Sequence, residues 1–271
     1  MSLTPPPIHV PQSHAELAAP DTLLGLTAQT TPDAAPLALY VAAVDALVRW
    51  QTQTALPDQP SMDETSVLQG LQGFRQWYLG NYRKATLDAP AQKVVDTAFV
   101  TIAAQCLHGP NVPVHQSFTP AHLIWRAGDD AGFDVLVPPS PANGPVTYDI
   151  ATLVRDPTRV WDESFVLEVT IRYWERARKA GLPVGQDFGE LYRGMEWAGL
   201  QRHLTLVGQL ARDAAASAAQ SPSTAELPGA PALVHYILAT CARYIELKPL
   251  LRLIERLEGV QSAGGYAFGR I

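Results

Sequence analysis

Proline spacing divides this chain. Seven prolines fall within the first 36 residues, at Pro5, Pro6, Pro7, Pro11, Pro20, Pro32 and Pro36. Each fixes φ and removes a backbone donor, so no helix propagates through them, and short strands and loops are the expectation for residues 1–36. Beyond Pro36 the constraint lifts. Leu37, Tyr40, Val41, Val44, Leu47 and Val48 recur at i, i+3, i+4 and i+7, which predicts an amphipathic helix. Further helices are predicted over 64–82, 92–107, 149–155, 163–180, 187–212 and 233–257, with a Ser/Ala/Pro linker at 214–231. The clearest apolar stripe is Val94, Val95, Ala98, Phe99, Ile102 and Cys106. One β-hairpin is predicted, Leu123–Arg126 against Phe133–Val137, joined by Gly128-Asp129-Asp130-Ala131-Gly132. The end around 262–265, Ser-Ala-Gly-Gly, is expected to fray.

The composition supports a packed chain: 47% of the 271 residues are apolar, which excludes global disorder. A formal net charge of −6 argues against a nucleic-acid or anionic-membrane surface, since either needs clustered positive charge. Cys106 and Cys241 stand far apart without metal-ligand spacing, which disfavours a disulfide scaffold or a structural zinc site. Residues 1–7 carry no signal-peptide pattern, and no apolar run reaches 18 residues, so a cytoplasmic protein with no membrane partner is the expectation.

Several strings resemble one family. Gly144-Pro145-Val146-Thr147-Tyr148-Asp149 followed by Leu153-Val154-Arg155-Asp156, then Ile171-Arg172-Tyr173-Trp174-Glu175, Ala180-Gly181-Leu182-Pro183 and Glu196-Trp197-Ala198-Gly199-Leu200-Gln201-Arg202-His203-Leu204, are similar to aminoglycoside-phosphotransferase-like, protein-kinase-like enzymes. The likeness is closest to the cell-wall-recycling kinases that phosphorylate the anomeric hydroxyl of N-acetylmuramate and N-acetylglucosamine. It covers about residues 38 to 257. The fold it implies is α+β and mostly helical: a helical C-terminal lobe (37–257) with one β-hairpin, a truncated N-terminal lobe (1–36) and a flexible tail (258–271). It also implies ATP and magnesium, with a catalytic-loop Asp that orients the attacking hydroxyl, an Asn and a second Asp that bind magnesium, and a glycine-rich loop and a Lys that hold ATP.

The matching positions depart from that pattern. Ser117 stands at the catalytic Asp position of His115-Gln116-Ser117-Phe118-Thr119-Pro120-Ala121-His122, and a neutral hydroxyl is a poor proton acceptor. His122 stands at the Asn position, and Val137 at the metal-binding Asp position. No Lys or Arg precedes Arg49, and Gly25 is the only glycine before it. The expectation is therefore a pseudokinase: no catalytic residue, no metal, ATP and magnesium lost, and a role in binding a partner protein, a second copy or a small sugar-like ligand. The alternative is an active amino-sugar phosphotransferase using displaced groups, a carboxylate such as Asp134 or Asp149 and a cation such as Arg126 or Arg155. A third reading keeps sugar binding without ATP.

Candidate ligand-binding residues are His115, Asp149, Glu196, Gln201 and Arg202, each with a bland counterpart. Asp149 supports the loop or caps its own helix. Glu196, Gln201 and Arg202 line a sugar pocket or form a surface ladder. His115 and His122, with His108, are packed or surface histidines rather than a metal site. Asp134 is expected on the face opposite Val137, and Asp129 and Asp130 in a solvated turn. Trp161, Tyr173, Trp174 and Tyr192 read as core aromatics.

Overall fold

A computed structural model describes residues 19–28, 36–56, 58–128, 130–137, 141–218 and 227–260. The chain forms two compact units. The expectations for residues 1–18, Asp129, 138–140 and the tail from 261 fall outside the described residues.

The first unit takes the described chain up to Met62, then Gly109–Asp156 and Trp161–Met195. It opens with helix α1 (Leu23–Ala28), where a strand or loop was expected. Leu23 to Ala28 carries no proline, and the Thr22 hydroxyl accepts from the Gly25 amide at 3.1 Å, so a short helix starts between the prolines. Helix α2 (Leu37–Gln53) begins directly after Pro36. It packs on helix α6 (Glu163–Lys179), where the Tyr40 ring meets Phe165 edge-on at 5.1 Å and the Trp161 indole donates to the Tyr40 hydroxyl at 2.9 Å.

Four short strands form two antiparallel pairs: β1 (Asn111–Val114) with β4 (Ala142–Pro145), and β2 (Leu123–Arg126) with β3 (Gly132–Val135). The second pair is the predicted hairpin, in register Leu123↔Val135 and Arg126↔Gly132. The β1–β4 pair was not foreseen, because Pro113 and the Gly144-Pro145 dipeptide read as turn signals. Tertiary contacts settle it. The Met62 amide donates to the Asn143 carbonyl at 2.7 Å, and the Met62 side chain packs over Gly144, where a Cβ would sit 2.7 Å from its sulfur. Helix α5 (Tyr148–Val154) follows, buried along its whole length.

The second unit takes Asp63–His108, Pro157–Val160 and the described chain from Glu196. Helix α3 (Glu64–Gly73) starts from a reciprocal capping box between Asp63 and Ser66. Its continuation, Phe74–Tyr82, winds as a π-helix instead of the expected uninterrupted α-helix. Helix α4 (Ala89–Cys106) starts three residues before the expected boundary, with the Asp88 carboxylate accepting from the Ala91 amide at 2.9 Å. Helix α7 (Phe188–Ala218) begins in the first unit and runs past Arg212 into the expected linker. The expected single helix over 233–257 is two: α8 (Ala230–Arg243) and α9 (Lys248–Glu258), with a 3₁₀ turn over Ile245–Leu247. Pro249 explains the break, since proline is tolerated in the first turn of a helix and not in its interior.

Candidate functional site

The loop from His115 to His122 leaves β1 and enters β2, and one buried carboxylate holds it. Asp149, fully enclosed, accepts the His115 amide at 2.7 Å on Oδ2 and the Gln116 amide at 3.0 Å on Oδ1. Thr147, not Asp149, occupies the N-cap position of α5. Asp149 is thus a long-range clamp across 34 residues of sequence, and the loop-supporting reading describes its geometry. A carboxylate accepting from backbone amides makes strong, charge-assisted bonds. Its charge reaches Tyr173, whose hydroxyl is driven far above its ordinary value, first by burial and then also by the Asp149 charge. That hydroxyl lies 2.9 Å from both Gln51 Oε1 and the Val146 carbonyl.

His115 is fully buried, and its ring has a defined tautomer. Nδ1 accepts from the Ser117 amide at 3.2 Å, so the proton sits on Nε2, which donates to the Leu136 carbonyl. Trp50 and Phe118 pack edge-on against it at 5.1 and 5.7 Å. Gln116 adopts φ +62°, a left-handed conformation rare for a residue with a Cβ and one that concentrates at functional sites. The clamp makes this strained turn legible: two consecutive amides are gathered onto one carboxylate. His122 closes the loop, with Nδ1 2.8 Å from the Thr119 hydroxyl and its carbonyl accepting from Leu136. Ser117, His122 and Val137 are each partly exposed.

Asp134 is exposed and paired with Arg126 at 2.9 Å. Arg155 is buried and reaches Glu163 at 3.4 Å. Asp130 is exposed. The structure therefore brings His115, Ser117, His122 and Asp149 together in the first unit. Glu196, Gln201 and Arg202 belong to the second.

There, the Glu196 carboxylate is buried and engages Arg243 and, at 2.5 Å, the Tyr244 hydroxyl. Gln201 is buried and donates from Nε2 to the Thr205 hydroxyl at 3.1 Å, while its Oε1 finds no partner among the described residues. Arg202 is partly exposed. Glu196 is buried rather than on a surface ladder, and it ties α7 to the end of α8. Burial pushes the Cys106 and Cys241 thiols up to about 12, so neither is a nucleophile near neutral pH. Sequence reading missed the Leu136 carbonyl and the Gln116 conformation, for which composition and spacing give no signal.

The architecture is that of a protein-kinase-like fold. A solved structure of Plasmodium vivax ethanolamine kinase superposes with a TM-score of 0.51, covering 81% of this chain and 62% of that one, at 11% identity. Sequence relatives are closer. An N-acetylmuramate/N-acetylglucosamine kinase of Neisseria meningitidis is 34% identical over 242 residues, 88% of this chain and 69% of its own length. Kinases of the same name from Pseudomonas putida and Pseudomonas aeruginosa are 31% and 30% identical, with 61% and 51% of their lengths spanned. No family model matches. The chain belongs to the N-acetylmuramate/N-acetylglucosamine kinase family.

That kinship corrects one expectation. ATP and magnesium were read as lost, yet all three relatives are kinases, and kinase chemistry draws its phosphoryl group from a nucleotide with a divalent cation. Among the described residues no helix is long and apolar enough to cross a membrane.

Proposed function

We propose that this chain is an ATP-dependent phosphotransferase acting on an amino-sugar-like small molecule, with groups other than those at 117, 122 and 137 carrying the chemistry. The observation that supports it is the 34% identity over 242 residues to a kinase of such sugars. The Asp149 clamp adds to it, because phosphoryl transfer depends on positioning and charge more than on covalent chemistry, and the clamp fixes the loop backbone. Kinship also favours a small sugar-like ligand over the protein partner or homodimer that the sequence allowed.

A bound nucleotide with its cation would supply the phosphoryl group. The two positions that would hold magnesium do not fit it: an imidazole at His122 and an isopropyl group at Val137 stand where hard oxygen ligands are needed. Of the two carboxylates considered as substitutes, Asp149 is enclosed and occupied as a positioning residue. Asp134 is exposed, and its surface ion pair with Arg126 exchanges readily with other partners.

The test is sugar-phosphate formation from the full chain with ATP, magnesium and either N-acetylmuramate or N-acetylglucosamine, followed by phosphorus NMR. Turnover that falls at least tenfold in Asp134→Asn supports the reading. Absence of any sugar phosphate from folded protein overturns it. A second reading, a homologue that binds its ligand without transferring phosphate, is favoured by Ser117 and Val137. It predicts a sugar-dependent rise in melting temperature with no product formed.

A further inference from the structure

Helix α6 carries cations of two kinds. Arg172 pairs with Glu168 at 2.5 Å and lies 3.7 Å from Glu175, and Arg176 meets Asp45 at 2.7 Å. Arg178 and Lys179, both exposed in the last turn, have no carboxylate partner among the described residues. Nor are they needed as caps. Gly181 takes φ +80°, the Leu182 amide donates to the Ala177 carbonyl at 2.9 Å, and the Gly181 amide donates to the Arg178 carbonyl at 3.0 Å. Those two bonds make a Schellman closure, so backbone donors satisfy the helix end.

Past that closure the buried Val184 anchors the chain, which turns again at Gly185, φ +72°, before α7 begins. A groove of about 580 Å³ lies between this double turn and the end of α6. Arg178, Lys179 and Gln186 line it, with Leu182 and Pro183 as its apolar part. None of residues 115–137 lines it, so the phosphotransfer reading makes no use of it.

Arg178 is held in place by neutral groups. Its guanidinium lies 4.6 Å over the Trp174 ring, which Phe188 backs edge-on at 5.8 Å, and Nη2 donates to Gln186 Oε1 at 2.5 Å. The charge is therefore positioned but not compensated, and the rest of its donor fork has no partner among the described residues. Lys179 brings a second charge to the same groove. The helix dipole accounts for cations in a last turn, but not for a guanidinium seated on an aromatic face and an amide. Glu175 is the carboxylate in the lining, and Arg172 offsets it.

A planar fork beside a point charge matches a phosphoryl group, whose oxygens accept from both. The volume lies within the ~300–1,000 Å³ of small-molecule sites and is far larger than one phosphoryl group needs. We propose that this groove is a phosphomonoester site of the first unit. The phosphoryl oxygens accept from Arg178, Lys179 and the Gln186 carboxamide, and the organic body rests on Leu182 and Pro183.

The experiment is an amide proton–nitrogen NMR titration of the full chain, without nucleotide or divalent cation, using phenyl phosphate, inorganic phosphate and benzoate as probes. Phenyl phosphate should shift the Lys179, Gly185 and Gln186 amides along one saturating curve, more tightly than either other probe, and added salt should weaken it. Arg178→Gln with Lys179→Gln should weaken binding at least tenfold, in spectra that otherwise superimpose on those of the native chain. Glu175→Gln should tighten it by removing the competing charge. Lys93→Gln, an exposed cation of α4, should leave it unchanged. No saturating shift at these amides, an equal response to benzoate, or a curve that the double variant leaves unchanged overturns the proposal. Inorganic phosphate binding as tightly as phenyl phosphate overturns the assignment to a phosphomonoester. Turnover is not read, so failure of the phosphotransfer reading and failure of this one are separate results.

Discussion

Replacing Asp149 asks how much of the first unit hangs on one carboxylate. Two amides, His115 and Gln116, donate to it at 2.7 and 3.0 Å, and hydrogen bonds to charged groups contribute about 1.5–3 kcal/mol each. Asp149→Ala removes both acceptors. His115 is fully buried, so its amide stays unpaired, while the partly exposed Gln116 amide can recover water. The expected loss is about 3–5 kcal/mol. Asp149→Asn keeps one oxygen and turns an NH₂ toward the other amide, so it should cost about 2–3 kcal/mol. At roughly 2–4 °C per kcal/mol for a domain of this size, the Asn variant should melt about 4–12 °C lower. Because a two-unit chain need not unfold in one step, the local assay is amide hydrogen exchange. Protection at His115 and Gln116 should fall in both variants, while that of the α8 amides stays. A shift under about 1 °C with both amides still protected would refute the argument.

Other outcomes follow from the same geometry. Cys106 and Cys241, buried with thiols raised to about 12, should resist alkylation at pH 8 in the native protein and react fully in denaturant; labelling of the folded chain would contradict their placement. Gly208→Ala should destabilise by about 1–3 kcal/mol through overpacking, whereas Gly73→Ala, with open space at its Cβ, should gain about 0.5–1 kcal/mol; urea midpoints read both. The Ser66 amide, and then its hydroxyl, hold Asp63 below its ordinary 3.8. Its contribution is therefore present above that value and is lost as pH falls through the lower folded value. The stability difference between the native chain and Asp63→Ala should be flat near neutrality and shrink below pH ~3.8, as acid titrations of the urea midpoint would show.

Where the chain is regular, the sequence was legible. The stripe from Val94 to Cys106 gave a helix because periodicity reports which face is buried, and the two apolar runs bounded by Gly128 and Gly132 gave the hairpin. Boundaries failed where local signals compete. Pro113 and Gly144-Pro145 look like turns, yet they pair as strands once Pro60 and Met62 supply partners for Asn143. A single helix over 233–257 looked continuous until Pro249 was seen to sit in the first turn of a second one.

The site divides along the same line. The order of the strings from Gly144 to His203 was a property of the residues alone and pointed to the family, as were the departures at Ser117, His122 and Val137. That Asp149 reaches back 34 residues to gather two amides was decided only by tertiary structure, as were the fixed tautomer of His115 and the close approach of Gly208 to the backbone of Gly73 and Phe74. The physical reason is range. Propensity, capping and periodicity act over a few neighbouring residues, whereas a buried hydrogen bond or a backbone-to-backbone approach depends on which distant segments the packed core brings within about 3 Å.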